Sequence, residues 1–317
     1  MIAVYSVGLR DRFRGLTARD GVLIRGRAGW GEFSPFWDYD DATCVPWLRA
    51  AVEMATRPFP DAVRDSIPVN ATVPAVAPER AAAMVVASGC GTVKVKVAEP
   101  GQSLADDLDR VTAVRDALGA SGLIRVDANA AWSVEEAVSA LAALERAAGG
   151  LEYAEQPCAT VAELAAVRRR VSVPIAADES IRRASDPLAV VRAQAADVIV
   201  MKVQPLGGVR ACLALAEQVG LPITVSSALD TSVGIAAGVA LAAALPGEPR
   251  AAGLATVRLL DGDVTCAPLL PTGGMLPVRR VTADTIPPAA PPLDAAWRAR
   301  LGRVAALAGI DLREELA

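Results

Sequence analysis

Short apolar runs, most of them followed by stretches in which alanine, leucine and arginine recur at helical spacing, dominate the chain from residue 67 onward. The runs fall at residues 69–72, 93–97, 123–127, 151–155, 173–178, 198–202, 221–225 and 251–256, and they predict eight strands. Strands alternating with helices predict a parallel sheet. Eight such units over roughly 190 residues fit a closed β/α barrel better than an open doubly wound sheet. No glycine-rich dinucleotide turn or phosphate loop follows any run. The last run has no convincing helix directly behind it. Instead come Pro268, Pro271, Gly273-Gly274 and the proline-rich stretch 286–292, then an amphipathic helix over 293–307. Before residue 67 the pattern is mixed. A strand-like start, a turn at Asp20-Gly21, a second strand over 22–25 and an aromatic, mobile loop from Trp30 to Trp37 predict a small α+β unit, to which the tail is expected to return.

The 317 residues include 53% hydrophobic and 21% charged positions with a formal net charge of −4, which suits a folded protein with a sizeable core. With 4% aromatic residues and no long basic run, there is neither an electrostatic track nor a stacking platform for nucleic acid. Histidine constrains the chemistry most, because there is none. Ser-His-Asp and Cys-His nucleophile systems, His-ligated zinc and histidine bases drop out, leaving lysine, carboxylate, tyrosine and cysteine groups for acid–base work. Cysteines 44, 90, 158, 212 and 266 are odd in number and form no Cys-x-x-Cys pair, so buried reduced thiols and a cytosolic protein are expected. The start, Met1-Ile2-Ala3-Val4-Tyr5-Ser6-Val7, has no basic lead or cleavage site and predicts a strand rather than a signal peptide. The uncharged stretch 231–247 is short for a bilayer span and closes on Pro246-Gly247, so a buried helix is expected there.

Alternate residues of a barrel strand face the interior, and barrel enzymes carry their catalytic groups at the C-terminal strand ends. In Thr92-Val93-Lys94-Val95-Lys96-Val97 both lysines share one face, where burial is costly unless anions accompany them. Taken alone, that run suits an edge strand with a wet lysine face equally well. The next four runs change the odds, for they end at Asp127, Glu155, Asp178 and Lys202, about one βα unit apart each time. A closed barrel brings those three carboxylates together with lysines on either side. Such a hard oxygen site suits Mg2+, with waters and substrate oxygens completing an octahedron. Helix capping or ion pairing explains any one position but not the ordered series. Lys96 and Lys202 then lie across from each other, each able to reach one face of a bound substrate. Neighbouring positive charge disfavours their ammonium forms, which favours removal of a carbon-bound proton next to a metal-held carboxylate.

Lys94-Val95-Lys96, Asp127-Ala128-Asn129, Glu155-Gln156-Pro157, Ala177-Asp178-Glu179-Ser180 and Lys202, in that order and over nearly the whole chain, resemble the enolase superfamily and within it the muconate-lactonizing-enzyme subgroup. The resemblance implies a modified (β/α)7β TIM-like barrel, residues 68–275, with an α+β capping domain built from both termini, residues 1–67 plus 276–317. It implies Asp127, Glu155 and Asp178 as Mg2+ ligands, Lys96 as the base on one face and Lys202 as the lysine on the other. Lys94 would support Lys96 and face the substrate carboxylate, and Asn129 and Glu179 would be supporting residues. The lack of histidine argues against the mandelate-racemase-like subgroup.

Residues 125–132, the short N-terminal section, Val225-Ser226-Ser227-Ala228-Leu229-Asp230-Thr231-Ser232-Val233-Gly234 and Gly253 look most like one branch of that subgroup. Its members dehydrate a succinyl-hydroxycyclohexadiene carboxylate to o-succinylbenzoate in menaquinone synthesis. By that resemblance Lys96 takes the proton and then helps expel hydroxide from the same face, and Lys202 acts as a cation over the ring. Arg125, Ser226, Ser227 and Gly253 would line the substrate site. Arg125 as a structural ion-pair partner, and the serines as a strand end, fit the residues as well. Arg12-Phe13-Arg14-Gly15 is either a solvated surface loop or one that closes over an anionic substrate. The same lysines and metal would serve an N-acylamino-acid or dipeptide epimerase, or a cycloisomerase, although the cap looks short for the last. Dipeptide epimerases of the subgroup hold the peptide amine with an Asp-x-Asp pair on the eighth strand. Here Gly253-Leu254-Ala255 stands in that place, with Asp261-Gly262-Asp263 a little beyond. A non-catalytic binding protein on the same scaffold is the remaining alternative. The expected partner is a small-molecule carboxylate, with no nucleic acid, membrane or obligate protein partner.

Overall fold

The computed structural model describes residues 1–184 and 186–316. Its first sheet is antiparallel, with β1 (Ile2–Phe13), β2 (Leu16–Gly26) and β3 (Gly29–Phe33) in that order and α1 (Asp41–Thr56) packed against it. The chain does not turn at Asp20-Gly21. Instead β2 runs through that pair, and the hairpin turns at Arg14-Gly15, where φ is 51° and 75°. Gly21 serves close packing, since a Cβ there would lie 2.6 Å from the Ser34 Cβ and 3.0 Å from the Tyr5 ring. The expected aromatic loop is in part β3. Trp30, Phe33 and Phe36 are buried, the last two edge-on against Trp297 and Trp47.

After β4 (Ser66–Pro68) come seven parallel strands side by side in chain order. They are β5 (Ala71–Val73), β6 (Thr92–Lys96), β7 (Leu123–Asp127), β8 (Tyr153–Glu155), β9 (Ile175–Ala177), β10 (Val198–Lys202) and β11 (Ile223–Ser226). Between and after them run α2 (Pro78–Ser88), α3 (Leu104–Leu118), α4 (Val134–Ala148), α5 (Val161–Arg168), α6 (Glu179–Arg182), α7 (Ala189–Arg192), α8 (Val209–Val219) and α9 (Ser232–Ala244). Capping boxes at Ser103/Asp106, Ser133/Glu136 and Thr160/Glu163 start α3, α4 and α5. Strand alternation sorts the side chains. Val93, Val95, Ile124, Val126, Ile199 and Met201 pack under the helices, while Tyr153, Ala176, Val198 and Val200 cluster separately inside the ring. Helix α9 is apolar on every side and buried, and no described helix is long and apolar enough to cross a membrane.

The eighth expected strand does not form a ladder. Two single bridges, Val69 with Ala252 and Ser226 with Gly253, join the opposite edges of the sheet and close the ring. The chain then enters a 3-10 helix, Thr256–Leu259. Glycine at 253 permits the close approach, because a Cβ there would lie 2.6 Å from Ser226 Oγ. The chain returns as β12 (Met275–Pro277), antiparallel to β4, and as α10 (Pro291–Ala308), which packs on α1 with Trp297, Leu301 and Val304 before the short α11 (Leu312–Glu315). Four of the five cysteines are free and buried. Cys266, expected inside, is exposed beyond the 3-10 turn and donates to Asp284 at 3.0 Å.

Candidate active site

Parallel register stacks the inward charges in two layers. In the outer layer Lys96 lies opposite Asp127, and Asp127 opposite Glu155. In the inner layer Thr72 lies opposite Lys94, Lys94 opposite Arg125, and Arg125 opposite Tyr153. Asp178 directly follows β9, and Lys202 ends β10 in register with Ser226. The strand ends surround a cavity of about 260 Å³, bordered by Lys94, Lys96 and Lys202 and by Phe13 and Arg14 of the N-terminal hairpin. Backbone strain collects at the same end. Ala98, Asn129, Ala130, Gln156 and Leu229, each shortly after a barrel strand, take φ between 39° and 66°.

Each carboxylate is met by cations. Lys94 bridges Glu155 (2.9 Å) and Asp127 (3.2 Å), while Lys96 donates to Asp127 (2.5 Å) and to Asn129 Oδ1 (2.7 Å). Lys202 donates to one Asp178 oxygen (2.6 Å) and Arg182 Nε to the other (3.0 Å). Burial alone would push the Asp127 carboxyl up, but Lys96 and Lys94 hold it well below the usual carboxylate range. At Asp178 burial is likewise overcome, by Arg182 and Lys202, and the carboxyl is held down. Glu155 goes the other way, since burial first and the Asp127 charge second raise it. Burial opposes charge on Lys94, yet Glu155 and Asp127 hold that ammonium well above its ordinary range. Lys94 is therefore held as a fixed cation between the two carboxylates.

Three hard oxygen donors, close enough that the Asp127 charge adds to burial in raising Glu155, fit a divalent cation of the Mg2+ kind. Among the described residues they are not already drawn into a three-ligand group. Ammonium groups stand between them, and Lys94 bridges two of the three.

Residues 77–283 match the enolase C-terminal domain-like family and residues 4–55 the enolase N-terminal domain-like family. The chain is 63% identical over 298 residues to the o-succinylbenzoate synthase of Thermobifida fusca (strain YX), covering 94% of this chain and 93% of that one. The chain belongs to the o-succinylbenzoate synthase family of the enolase superfamily. It is accordingly an enzyme, a hydro-lyase, with the superfamily's modified barrel and α+β cap. The o-succinylbenzoate synthase of Mycobacterium tuberculosis (strain ATCC 25618 / H37Rv) is 56% identical over 282 residues, 89% of this chain and 85% of that one. Among solved structures, the substrate-liganded L-Ala-D/L-Glu epimerase of Bacillus subtilis is similar with a TM-score of 0.76 at 25% identity, over 92% of this chain and 98% of that one.

In this o-succinylbenzoate synthase family member, Ser226, Ser227 and Gly253 border the same cavity as the three lysines. Ser227 Oγ also contacts Gly253 O (3.1 Å) and Thr256 Oγ1 (2.8 Å), so it fastens the ring closure as well. Arg125 departs from its expected place at the substrate. It is fully buried in the inner layer and does not border the cavity. Its Nε donates to Glu152 (2.6 Å) and its Nη1 to Asn70 Oδ1 (2.9 Å) and Ala251 O (2.6 Å), the ion-pair role its residue type also allowed. The hairpin tip is a cavity wall rather than a free surface loop, with the Phe13 ring 5.5 Å from Lys96 Nζ.

Strand-end periodicity does not flag two further residues. Gln156 Oε1 accepts from the backbone N–H groups of Asp178 (3.0 Å) and Ser180 (3.2 Å), riveting the loop after β8 to the one after β9. Arg182 links Asp178 and Glu179 (2.7 Å) to Tyr39 OH (2.6 Å) of the N-terminal unit. Its spacing of four from Asp178 at a helix start was the available signal.

Proposed function

We propose that this chain converts a succinyl-hydroxycyclohexadiene carboxylate to the aromatic o-succinylbenzoate in menaquinone synthesis, as a Mg2+-dependent cytoplasmic dehydratase. Residues 68–275 would form the catalytic barrel, and residues 1–67 with 276–317 its cap. The observation that carries the reading is the lysine pair. Lys96 and Lys202, four barrel strands apart, border one cavity, each held against a different carboxylate (2.5 and 2.6 Å).

Asp127, Glu155 and Asp178 would hold Mg2+, which offsets the negative charge that grows on the substrate carboxylate as the adjacent proton leaves. Lys96 in its neutral form takes that proton, with its Nζ oriented by Asn129 Oδ1. The Lys96 ammonium so formed returns the proton to the departing hydroxyl on the same face, so water leaves and the ring becomes aromatic. Lys202 stays protonated on the opposite side and holds its charge toward the ring. Lys94, the fixed cation, faces the substrate carboxylate, and Ser226, Ser227 and Gly253 border the rest of the ligand.

Epimerisation of N-acylamino acids or dipeptides would use the same lysine pair. Against the dipeptide reaction, Gly253-Leu254-Ala255 offers no carboxylate, and the Asp261/Asp263 pair is engaged elsewhere. Asp263 accepts from Ser232 N (3.2 Å) and Ser232 Oγ, and Asp261 lies against Gly8. The test is to incubate the purified protein and Mg2+ in deuterated water, separately, with the cyclohexadiene carboxylate, N-succinylamino acids and dipeptides. Conversion of the first alone is expected. Deuterium uptake or racemisation of the others without any dehydration rejects the proposal.

A further inference from the structure

Leu229 borders the cavity with its backbone at φ 63°, a conformation that bulky L-residues rarely adopt. It lies in the segment 227–231 between β11 and α9, and that segment is held from outside the barrel at both ends. At one end Arg19 of β2, only 3% exposed, donates from Nε to Leu229 O (3.0 Å) and from Nη2 to Ala228 O (3.3 Å). The guanidinium is itself fixed by Ser34 Oγ (3.0 Å) and lies 4.6 Å from the centre of the Phe36 ring. At the other end the fully buried Glu32 of β3 accepts from Thr231 Oγ1 (2.5 Å) and from the N–H groups of Thr231 (3.2 Å) and Gly234 (3.0 Å). Between them Gln204 Nε2 donates to Asp230 Oδ1 (2.8 Å). Both carbonyls are drawn to Arg19, and Ala228 and Leu229 border the cavity while almost fully buried.

We propose that Arg19 is a positioning residue and Leu229 a specificity-determining one. Arg19 holds the 228–229 carbonyls away from the cavity, so that Leu229 forms an apolar wall for the flat ring of a cyclic dicarboxylate and disfavours ligands that present an amine or peptide N–H at that spot. The choice of ring ligand rests on the function proposed above. A polar group there would have to be desolvated against hydrocarbon with no partner, which is a discriminating cost.

The test uses the full chain with Mg2+ and reads calorimetric binding of o-succinylbenzoate alongside steady-state dehydration. Leu229→Asn is the informative variant, because asparagine tolerates positive φ and keeps the branching and number of side-chain heavy atoms. Its expected outcome is tenfold or greater weakening of product binding and a matching rise in KM. Its kcat should stay within threefold of wild type, with the protein still folded. Arg19→Gln should raise KM similarly, and adding Leu229→Asn to it should cost less than twofold more, since both act on one segment. Product binding by Leu229→Asn within twofold of wild type overturns the wall. So do fully multiplicative effects of the two substitutions, or no product binding by the wild type. Wild-type protein that binds the product but does not dehydrate overturns the proposed reaction and leaves the wall standing.

Discussion

Arg125 and Asp127 lie two residues apart on β7 and face the same barrel interior, yet they belong to charge clusters of different kinds. At depth, Arg125 uses all three guanidinium nitrogens on Glu152, Asn70 and Ala251 O and lies over the Tyr153 ring at 4.7 Å. Glu152 also takes Arg250 at 2.5 Å. At the mouth, lysine ammonium groups meet Asp127, Glu155 and Asp178 beside an open cavity. A planar fork fixed at several points has few other geometries, whereas an ammonium on a flexible stem can leave one oxygen for another. One barrel therefore fixes its floor charges at several points, while at its rim Asp127 and Glu155 meet lysine ammonium groups and Asp178 meets Lys202 beside the Arg182 fork.

The sharpest way to break this contrast is at the rim. Lys96→Ala and Lys202→Ala should each lower dehydration by about 10³-fold or more, with the barrel still folded. Near-normal turnover in either variant would remove that lysine from the mechanism. In the floor the expectation is reversed. Arg125→Met should cost about 3 kcal/mol of stability in urea titrations by leaving part of the Glu152 charge buried without its partner, while the folded fraction keeps near-wild-type turnover. A stable but inactive Arg125→Met protein would make the floor catalytic after all.

The junction with the N-terminal unit holds a third kind of site, where burial first and the Glu32 charge second push Asp230 up to about 7. The folded chain keeps a proton there that the unfolded chain releases near pH 4, so this group's contribution to stability falls as pH rises from about 4 to 7. Asp230→Asn should remove about 2 kcal/mol of that fall, roughly half the ceiling set by a shift of this size. Parallel stability curves for the two proteins from pH 4 to pH 8 would refute the retained proton. The smallest effect is expected at Arg182, which shares Asp178 with Lys202. Arg182→Lys should weaken Mg2+ binding by about 10-fold in calorimetry, and unchanged affinity would show that Lys202 alone orients that carboxylate.

What the chain disclosed on its own follows from locality. Lys94, Lys96, Asp127, Glu155, Asp178 and Lys202 were legible because strand alternation and the length of one βα unit are short-range properties. Arg125 shared the parity of Asp127, but parity says which way a side chain points and not how deep it lies. Its partners Asn70, Glu152 and Ala251 arrive from three other places in the chain. Gly21 misled for a related reason, since a glycine needed for the approach of Ser34 and Tyr5 looks like one needed for a turn. Residues 251–256 have the apolar content of a strand yet contribute single bridges, because the chain curls into a 3-10 helix at Thr256. Arg19 and Glu32 gave no local sign, as their partners at Leu229 and Thr231 lie 210 and 199 residues away.

The manner of ring closure has a topological consequence. Seven strands form a continuous ribbon, and residues 252 and 253 act as its clasp through isolated bridges to Val69 and Ser226. Unfastening that clasp breaks no ladder. Its amides should therefore be the first of the barrel backbone to exchange with solvent, and a circular permutant with new ends between 246 and 250 would keep every ladder of the ribbon uncut.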